Sequence, residues 1–235
     1  TLLFLYLTHL PFSHKGVALE FSDDQMNRFM WVDSTLSALS LDEKIGQLFM
    51  VRAHSDKGPD HILDLYRQVE RLGVGGVCLF QGSFEGHQSL VQALNQKAKV
   101  PLLVSMDAEW GINMRLKEIA PFPKQMTLGA IADSDKIREV GRLIAQECQQ
   151  IGVNMNFAPV VDVNNNPRNP VINYRSFGED ADRVAKLAES IYFGMNEQGV
   201  MACAKHFPGH GDTDLDSHHD LPVINKSYEQ LDSIE

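Results

Sequence analysis

Apolar and polar positions follow two alternating rhythms along this chain. Short apolar runs at residues 48–51 (LFMV), 76–80 (GVCLF), 101–106 (PLLVSM) and 199–204 (GVMACA) have the length of buried strands. Residues 153–163 add another strand, opening with Val153, Met155 and Phe157 set against Asn154 and Asn156. Between the runs, apolar residues recur at three and four. Ile62, Leu65, Val69 and Leu72 form one such stripe. Ile137, Val140, Ile144, Cys148 and Ile151 form a second, started by Asp133 or Ser134. Val184, Leu187, Ile191 and Met195 form a third. Each stripe predicts a helix with one buried face. Residues 33–48 also read as helical, with Ser40 and Glu43 spaced as a capping box. The polar stretch up to Lys99 reads as a helix. Residues 228–235 read as the first turns of one more, with no stop signal.

Strand and helix in alternation predict a parallel sheet with helical crossovers. Polar residues punctuate the strand ends: Asp107 follows the third run, Asp162 ends the fourth, and Lys205 and His206 follow the fifth. Charged groups at the C-terminal ends of successive parallel strands are what a TIM barrel arranges around its rim. A doubly wound sheet also binds ligands there, but no Gly-x-Gly-x-x-Gly follows a strand and no Gly-x-x-x-x-Gly-Lys occurs. The expected fold is therefore α/β, a TIM (β/α)8-type barrel that is incomplete in this chain. Its five units take about 36 residues each, so three more would need roughly 110 residues. An unclosed barrel leaves two sheet edges bare.

Composition narrows the classes. The 235 residues are 43% apolar and 22% charged, which excludes a collagen, a coiled-coil rod and a disordered chain. A net charge of −10 argues against nucleic acid as a partner and against attraction to an anionic membrane. Cys78, Cys148 and Cys203 lie far apart in apolar runs, so they read as buried free thiols. Residues 2–12 (LLFLYLTHLPF) are too short an apolar run to span a membrane. They resemble the core of a secretory signal with its charged start missing, and Gly16, Val17 and Ala18 suit cleavage after Ala18. Residues 1–18 are thus expected to be a truncated signal peptide, which places the mature protein outside the cytoplasm, periplasmic or secreted. The alternative is an apolar N-terminal strand or helix of a cytoplasmic protein. With Thr1 first and no helix end after residue 228, the chain reads as a fragment of a longer protein.

The densest chemistry lies at residues 205–218, KHFPGHGDTDLDSH. Four of the nine histidines, His206, His210, His218 and His219, fall in or just after it. Pro208, Gly209 and Gly211 impose a loop directly after the fifth strand. Asp216 and His218 point the same way in an extended segment, so the carboxylate can fix the imidazole's tautomer and raise its basicity for proton transfer. A metal site from His206, His210, His218 and the aspartates is a second reading, although the spacing fits neither His-Glu-x-x-His nor a zinc finger. A plain solvated loop is a third.

The string Lys-His-Phe-Pro-Gly-His-Gly-x-Thr-x-x-Asp-Ser-His resembles the signature of the β-N-acetylglucosaminidase branch of glycoside hydrolase family 3. Residues 106–111 (MDAEWG) with Arg115, residues 156–162 (NFAPVVD) and residues 174–178 (YRSFG) resemble further blocks of that family in the same order. The likeness covers residues 31–222. It implies that residues 19–235 are the N-terminal part of a catalytic TIM barrel that releases terminal β-linked N-acetylglucosamine with retention, from peptidoglycan-derived or similar sugars. By the same likeness His218 is the catalytic acid/base, Asp216 its partner, and Asp107, Arg115, Arg175, Lys205 and His206 bind the sugar. Arg168 and Arg175 are not separable by chemistry alone; only the family block favours Arg175. Glu109 is expected to support its loop, Asp162 to belong to the fold and Trp31 to the core. Trp110 departs from the family's usual small residue and is expected either to wall the pocket or to pack. Most retaining glycosidases pair two carboxyl groups about 5–5.5 Å apart. Here a histidine replaces one, and the nucleophilic aspartate is expected beyond residue 235. The resemblance calls for a carbohydrate as partner and for no metal or cofactor; the sequence leaves the oligomeric state open. The rival readings are a β-glucosidase or β-xylosidase of the same family, a metal-dependent hydrolase, and a non-catalytic sugar-binding fragment.

Overall fold

The computed structural model describes residues 22–214, 223–224 and 226–234. The proposed signal at residues 1–18, and both Asp216 and His218, lie outside the described residues. The chain divides into two compact units, Thr1–Ser40 and Leu41–Glu235.

The first unit holds helix α1 (Asp23–Ala38), opened by a complete capping box between Ser22 and Gln25. Its apolar residues are spread around the helix rather than along one stripe, and none of its residues is buried. Trp31, expected in the core, is 55% exposed for that reason. The helix expected over residues 33–48 is in fact two. Leu39 turns extended after α1, and α2 (Leu41–Gly46) begins directly after Ser40, where the Ser-x-x-Glu start signal stands.

Among the described residues, the second unit builds five strands in turn: β1 (Met50–Ala53), β2 (Gly76–Leu79), β3 (Leu103–Met106), β4 (Met155–Asn156) and β5 (Met201–Ala202). They pair in sequence order, every pair parallel. Helices α3 (Pro59–Leu72), α4 (Phe84–Lys97), α5 (Gln125–Gly129), α6 (Ser134–Gln150) and α7 (Ala181–Glu197) fill the crossovers, and α8 (Tyr228–Asp232) follows β5. This order is that of five successive units of a TIM-type barrel. Among the described residues, no helix is long and apolar enough to cross a membrane.

Alternation along the strands builds the core. Ala53, Val77, Leu79, Val104 and Met106 share one face and are buried against the helical layer with Leu65, Val69, Leu94, Ile144 and Leu187. Each fully buried side chain of this size contributes about 1.5–3 kcal/mol. The register aligns Ala53, Leu79 and Met106. The next residue of each strand therefore stands on one rim, and Asp107 is among them.

Capping chemistry sets the helix ends. Pro59 takes the first turn of α3, and Gly73 closes it in the left-handed region (φ 61°) with its N–H on the Gln68 carbonyl. Asp133 caps α6 and Asp180 caps α7. Helices α6 and α7 meet across Gly141 and Gly194. A Cβ at Gly194 would run into the Arg138 carbonyl oxygen, and one at Gly141 into that of Ile191. Arg142 then bonds Glu197 across the seam at 2.7 Å. Cys148, on the inner face of α6, is fully buried, and burial pushes its thiol up to about 12. Cys78 and Cys203 are only part-buried, against the expectation for all three, because they end up at the barrel-side face and past the end of β5.

Three strands differ from expectation. Residues 48 and 49 belong to the turn after α2, so β1 starts later. The pairing of β4 stops at Asn156 and resumes only as a bridge between Val160 and Lys205. Pro159, with no N–H to give a ladder, lies in that gap. Strand β5 is likewise two residues long.

Candidate active site

Three segments converge at the strand C-termini: residues 107–115 after β3, 157–176 after β4 and 203–214 after β5. Buried side-chain amides hold them there together with the Val160–Lys205 bridge, in which the Val161 N–H meets the Lys205 carbonyl at 2.7 Å. Asn156 accepts from the Ala108 N–H at 3.0 Å and donates to the Ala108 carbonyl at 3.1 Å. Gln125 does the same for Val160, at 3.0 and 2.8 Å. Each amide imitates a strand neighbour and adds one rung where the sheet has ended. Asn156 thereby fixes the backbone between Asp107 and Glu109.

Asp107 takes Arg115 Nη2 on one oxygen at 2.6 Å and Lys205 Nζ on the other at 3.0 Å. Arg115 follows a short 3-10 turn (Ile112–Met114) and lies over the Phe80 ring at 4.6 Å. Arg52 lies at the same distance from that ring. Lys205 is shared, reaching Glu109 Oε1 at 2.7 Å. The Glu109 side chain is 1% exposed. Arg175, at the end of a second 3-10 turn (Asn173–Arg175), grips Glu109 with a two-pronged fork at 2.9 and 2.8 Å. Arg175 Nη2 also stands 3.3 Å from His206 Nε2. The other side of His206 meets buried Asp162, Nδ1 to Oδ2, at 2.6 Å.

The site thus brings together Asp107, Arg115, Arg175, Lys205 and His206, with Glu109 and Asp162 beneath them. Arg168 lies apart: its side chain is 79% exposed and pairs with Asp214 at 3.1 Å. His210 is buried, its ring 2.5 Å from Thr213 Oγ1 and its carbonyl held by Asn169. Among the described residues, no group of three or more His, Cys, Asp and Glu side chains is placed to hold a metal ion. Phe80, Asn156 and Asn169 were not singled out by sequence. Phe80 carried a signal, one position past a strand end. The two asparagines looked like the polar half of an alternation and like a loop residue.

Burial on its own would raise the three carboxyls, but their partners outweigh it. Lys205 and Arg115 hold Asp107 below the ordinary carboxylate range. Arg175 and Lys205 do so for Glu109. His206 and the His206 and His210 N–H groups do so for Asp162. Carboxyls kept ionised in this way are poor proton donors. Their arrangement suits binding: Asp107 presents acceptor oxygens, and Arg115 and Lys205 present donors, as two neighbouring hydroxyl groups require.

Trp110 borders the site with its face covered by Lys124, whose Nζ lies 2.6 Å from the ring centroid; Tyr174 lies 5.5 Å from the same nitrogen. Burial pushes the Lys124 ammonium down to about 8, with Glu109 opposing the shift and Lys117 and Arg175 adding to it. For an amine lowered on folding, the unfolded chain holds the extra proton between about pH 8 and the ordinary lysine value, so stability rises with pH across that window. Trp110 emission is expected to titrate with a midpoint near pH 8, and Lys124→Met should abolish that titration. A Trp31→Phe background isolates the signal. An unchanged titration in Lys124→Met would show that Lys124 is not its source.

Comparison with known proteins identifies the family and the fold. The profile described as "Glycosyl hydrolase family 3 N terminal domain" matches residues 40–235. A relative from Cellulomonas fimi, named "Beta-N-acetylglucosaminidase/beta-glucosidase", is 36% identical over 202 residues, covering 86% of this chain and 35% of its own length. "Beta-hexosaminidase A" of Pseudoalteromonas piscicida is 34% identical over 181 residues, covering 72% of this chain and 30% of its own. A solved family 3 β-N-acetylglucosaminidase from Paenibacillus sp. superposes with a TM-score of 0.77 at 40% identity, over 84% of this chain and 38% of that one. The chain therefore spans about a third of the length of these relatives. Parallel β/α units, the charged rim and a profile match over most of its residues agree: this chain belongs to glycosyl hydrolase family 3, within the family's N-terminal domain.

Proposed function

We propose that the protein carrying this chain is a retaining β-N-acetylhexosaminidase that removes terminal non-reducing β-linked N-acetylglucosamine, with peptidoglycan-derived sugars as its natural substrates. The observation that carries the reading is Asp107 at the end of β3, held between Arg115 and Lys205 as a ready receptor for sugar hydroxyls. His218, partnered by Asp216, protonates the glycosidic oxygen as a carboxylate attacks the anomeric carbon. The alcohol departs and a glycosyl-enzyme remains. His218 then takes a proton from water, which attacks the same carbon and restores the carboxylate. That nucleophile matches no aspartate of this sequence and belongs to a later strand. Residues 19–235 form the first part of the catalytic barrel, and residues 1–18 direct the protein out of the cytoplasm.

A second reading, β-glucosidase activity, has support in the double name of the Cellulomonas fimi relative. Turnover of aryl β-N-acetylglucosaminide and aryl β-glucoside by the full-length protein separates the two. Marked preference for the N-acetylated sugar is expected. Preference for the glucoside would replace the first reading with the second. Binding of N-acetylglucosamine without turnover of either would leave a sugar-binding protein.

A further inference from the structure

We infer that Asp162 is a positioning residue: it fixes the His206 ring in the Nδ1–H tautomer and so turns a hydrogen-bond acceptor, Nε2, toward Arg175 and the sugar site. The two oxygens of Asp162 divide the work. Oδ1 accepts the backbone N–H groups of His206 at 3.2 Å and His210 at 2.8 Å. Oδ2 contacts the imidazole Nδ1 at 2.6 Å. The carboxylate is 1% exposed, so this contact is not shared with bulk water.

The far side of the ring leaves one consistent proton assignment. Arg175 Nη2, 3.3 Å from Nε2, belongs to a guanidinium that can only donate. The fork on Glu109 holds that guanidinium in place. A proton on Nε2 would set two N–H groups against each other. A proton on Nδ1 satisfies both contacts at once, giving Asp162 a donor and Arg175 an acceptor. The same contacts keep Asp162 ionised. His206 therefore presents Nε2 as an acceptor: its single lone pair receives Arg175 in the structure, and a ligand that takes that place must bring a donor such as a sugar hydroxyl, not the carbonyl of an N-acetyl group. Only the identity of that ligand rests on the proposed function.

The split between the oxygens makes Asp162→Asn a selective probe. Two backbone donors converge on Oδ1, so an amide there keeps its oxygen at that end and places its NH2 against Nδ1. Nδ1 must then accept, the proton moves to Nε2, and Nε2–H faces Arg175. The main-chain anchors of His206 and His210 stay. Histidine ring 15N spectra of the unsubstituted protein should show pyrrole-type Nδ1 and pyridine-type Nε2 for His206. D162N should interchange them. N-acetylglucosamine affinity, measured by calorimetry on the full-length protein, should fall about tenfold in D162N. In an H206A background the same change should cost less than about twofold, because Asp162 acts through the ring.

A pyridine-type Nδ1 or an imidazolium in the unsubstituted protein would overturn the inference without any variant. A D162N loss of equal size with and without His206 would also overturn it, making Asp162 a purely structural anchor. A sugar that fails to bind the unsubstituted protein would count against the proposed function instead, while the 15N spectra still decide the tautomer.

Discussion

Replacing Glu109 by alanine is expected to cost the fold about 3–5 kcal/mol, because it strands two cations that burial has already stripped of water. Arg175 spends its fork on Glu109, and Lys205 puts its shorter contact there. The measurement is the urea midpoint at constant slope. Glu109→Gln keeps the shape and one acceptor, so its loss should be smaller than that of alanine. The effect has a definite sign with pH. Glu109 is held below its ordinary range, so its contribution is fully present above the unfolded carboxyl's range and disappears as the pH falls through the lowered folded value. The midpoints of the alanine variant and the parent should therefore converge on acidification. An alanine variant as stable as the parent at neutral pH would mean that Lys205 and Arg175 find other partners.

The second large effect concerns His218, and it follows from the proposed function. His218→Ala should lower kcat/KM for sugar leaving groups by about 10²–10⁴-fold, the usual worth of a positioned proton donor. An activated aryl leaving group needs little protonation, so its cleavage should suffer far less, and kcat/KM should become steeply dependent on the leaving group's acidity. Losses of the same size on both substrate types would remove His218 from the acid role.

Most of the architecture was legible because buried parallel strands and amphipathic helices write their periods locally. The stripes Ile137–Ile144–Cys148 and Val184–Leu187–Ile191–Met195 lie buried in α6 and α7 as their spacing requires. The end of β4 was not legible. Val153, Met155 and Phe157 alternate with asparagines whether those asparagines face water or, as Asn156 does, lend a side-chain amide to a neighbouring backbone, and only the fold distinguishes the two. The same limit governs the site. Asp107, Lys205 and His206 announce themselves at strand ends, whereas Arg175 stood apart from Arg168 only through the family block. The pairings themselves bridge 66 positions for Arg175 and Glu109 and 98 for Lys205 and Asp107. No local pattern encodes such distances; the sheet's register does.

The glycine seam between α6 and α7 has a consequence for precision at that rim. Helix α6 leads into β4 and helix α7 into β5. Sliding one helix past the other by a turn would move its strand about 5.4 Å, further than any hydrogen bond can stretch. With backbone pressed on backbone at Gly141 and Gly194, there is no side chain whose rotation could absorb even a partial slip. The seam therefore acts as a height gauge. It sets the level at which Asp162, delivered by β4, meets His206, delivered by β5, so two residues without any functional group govern the alignment of two that carry it.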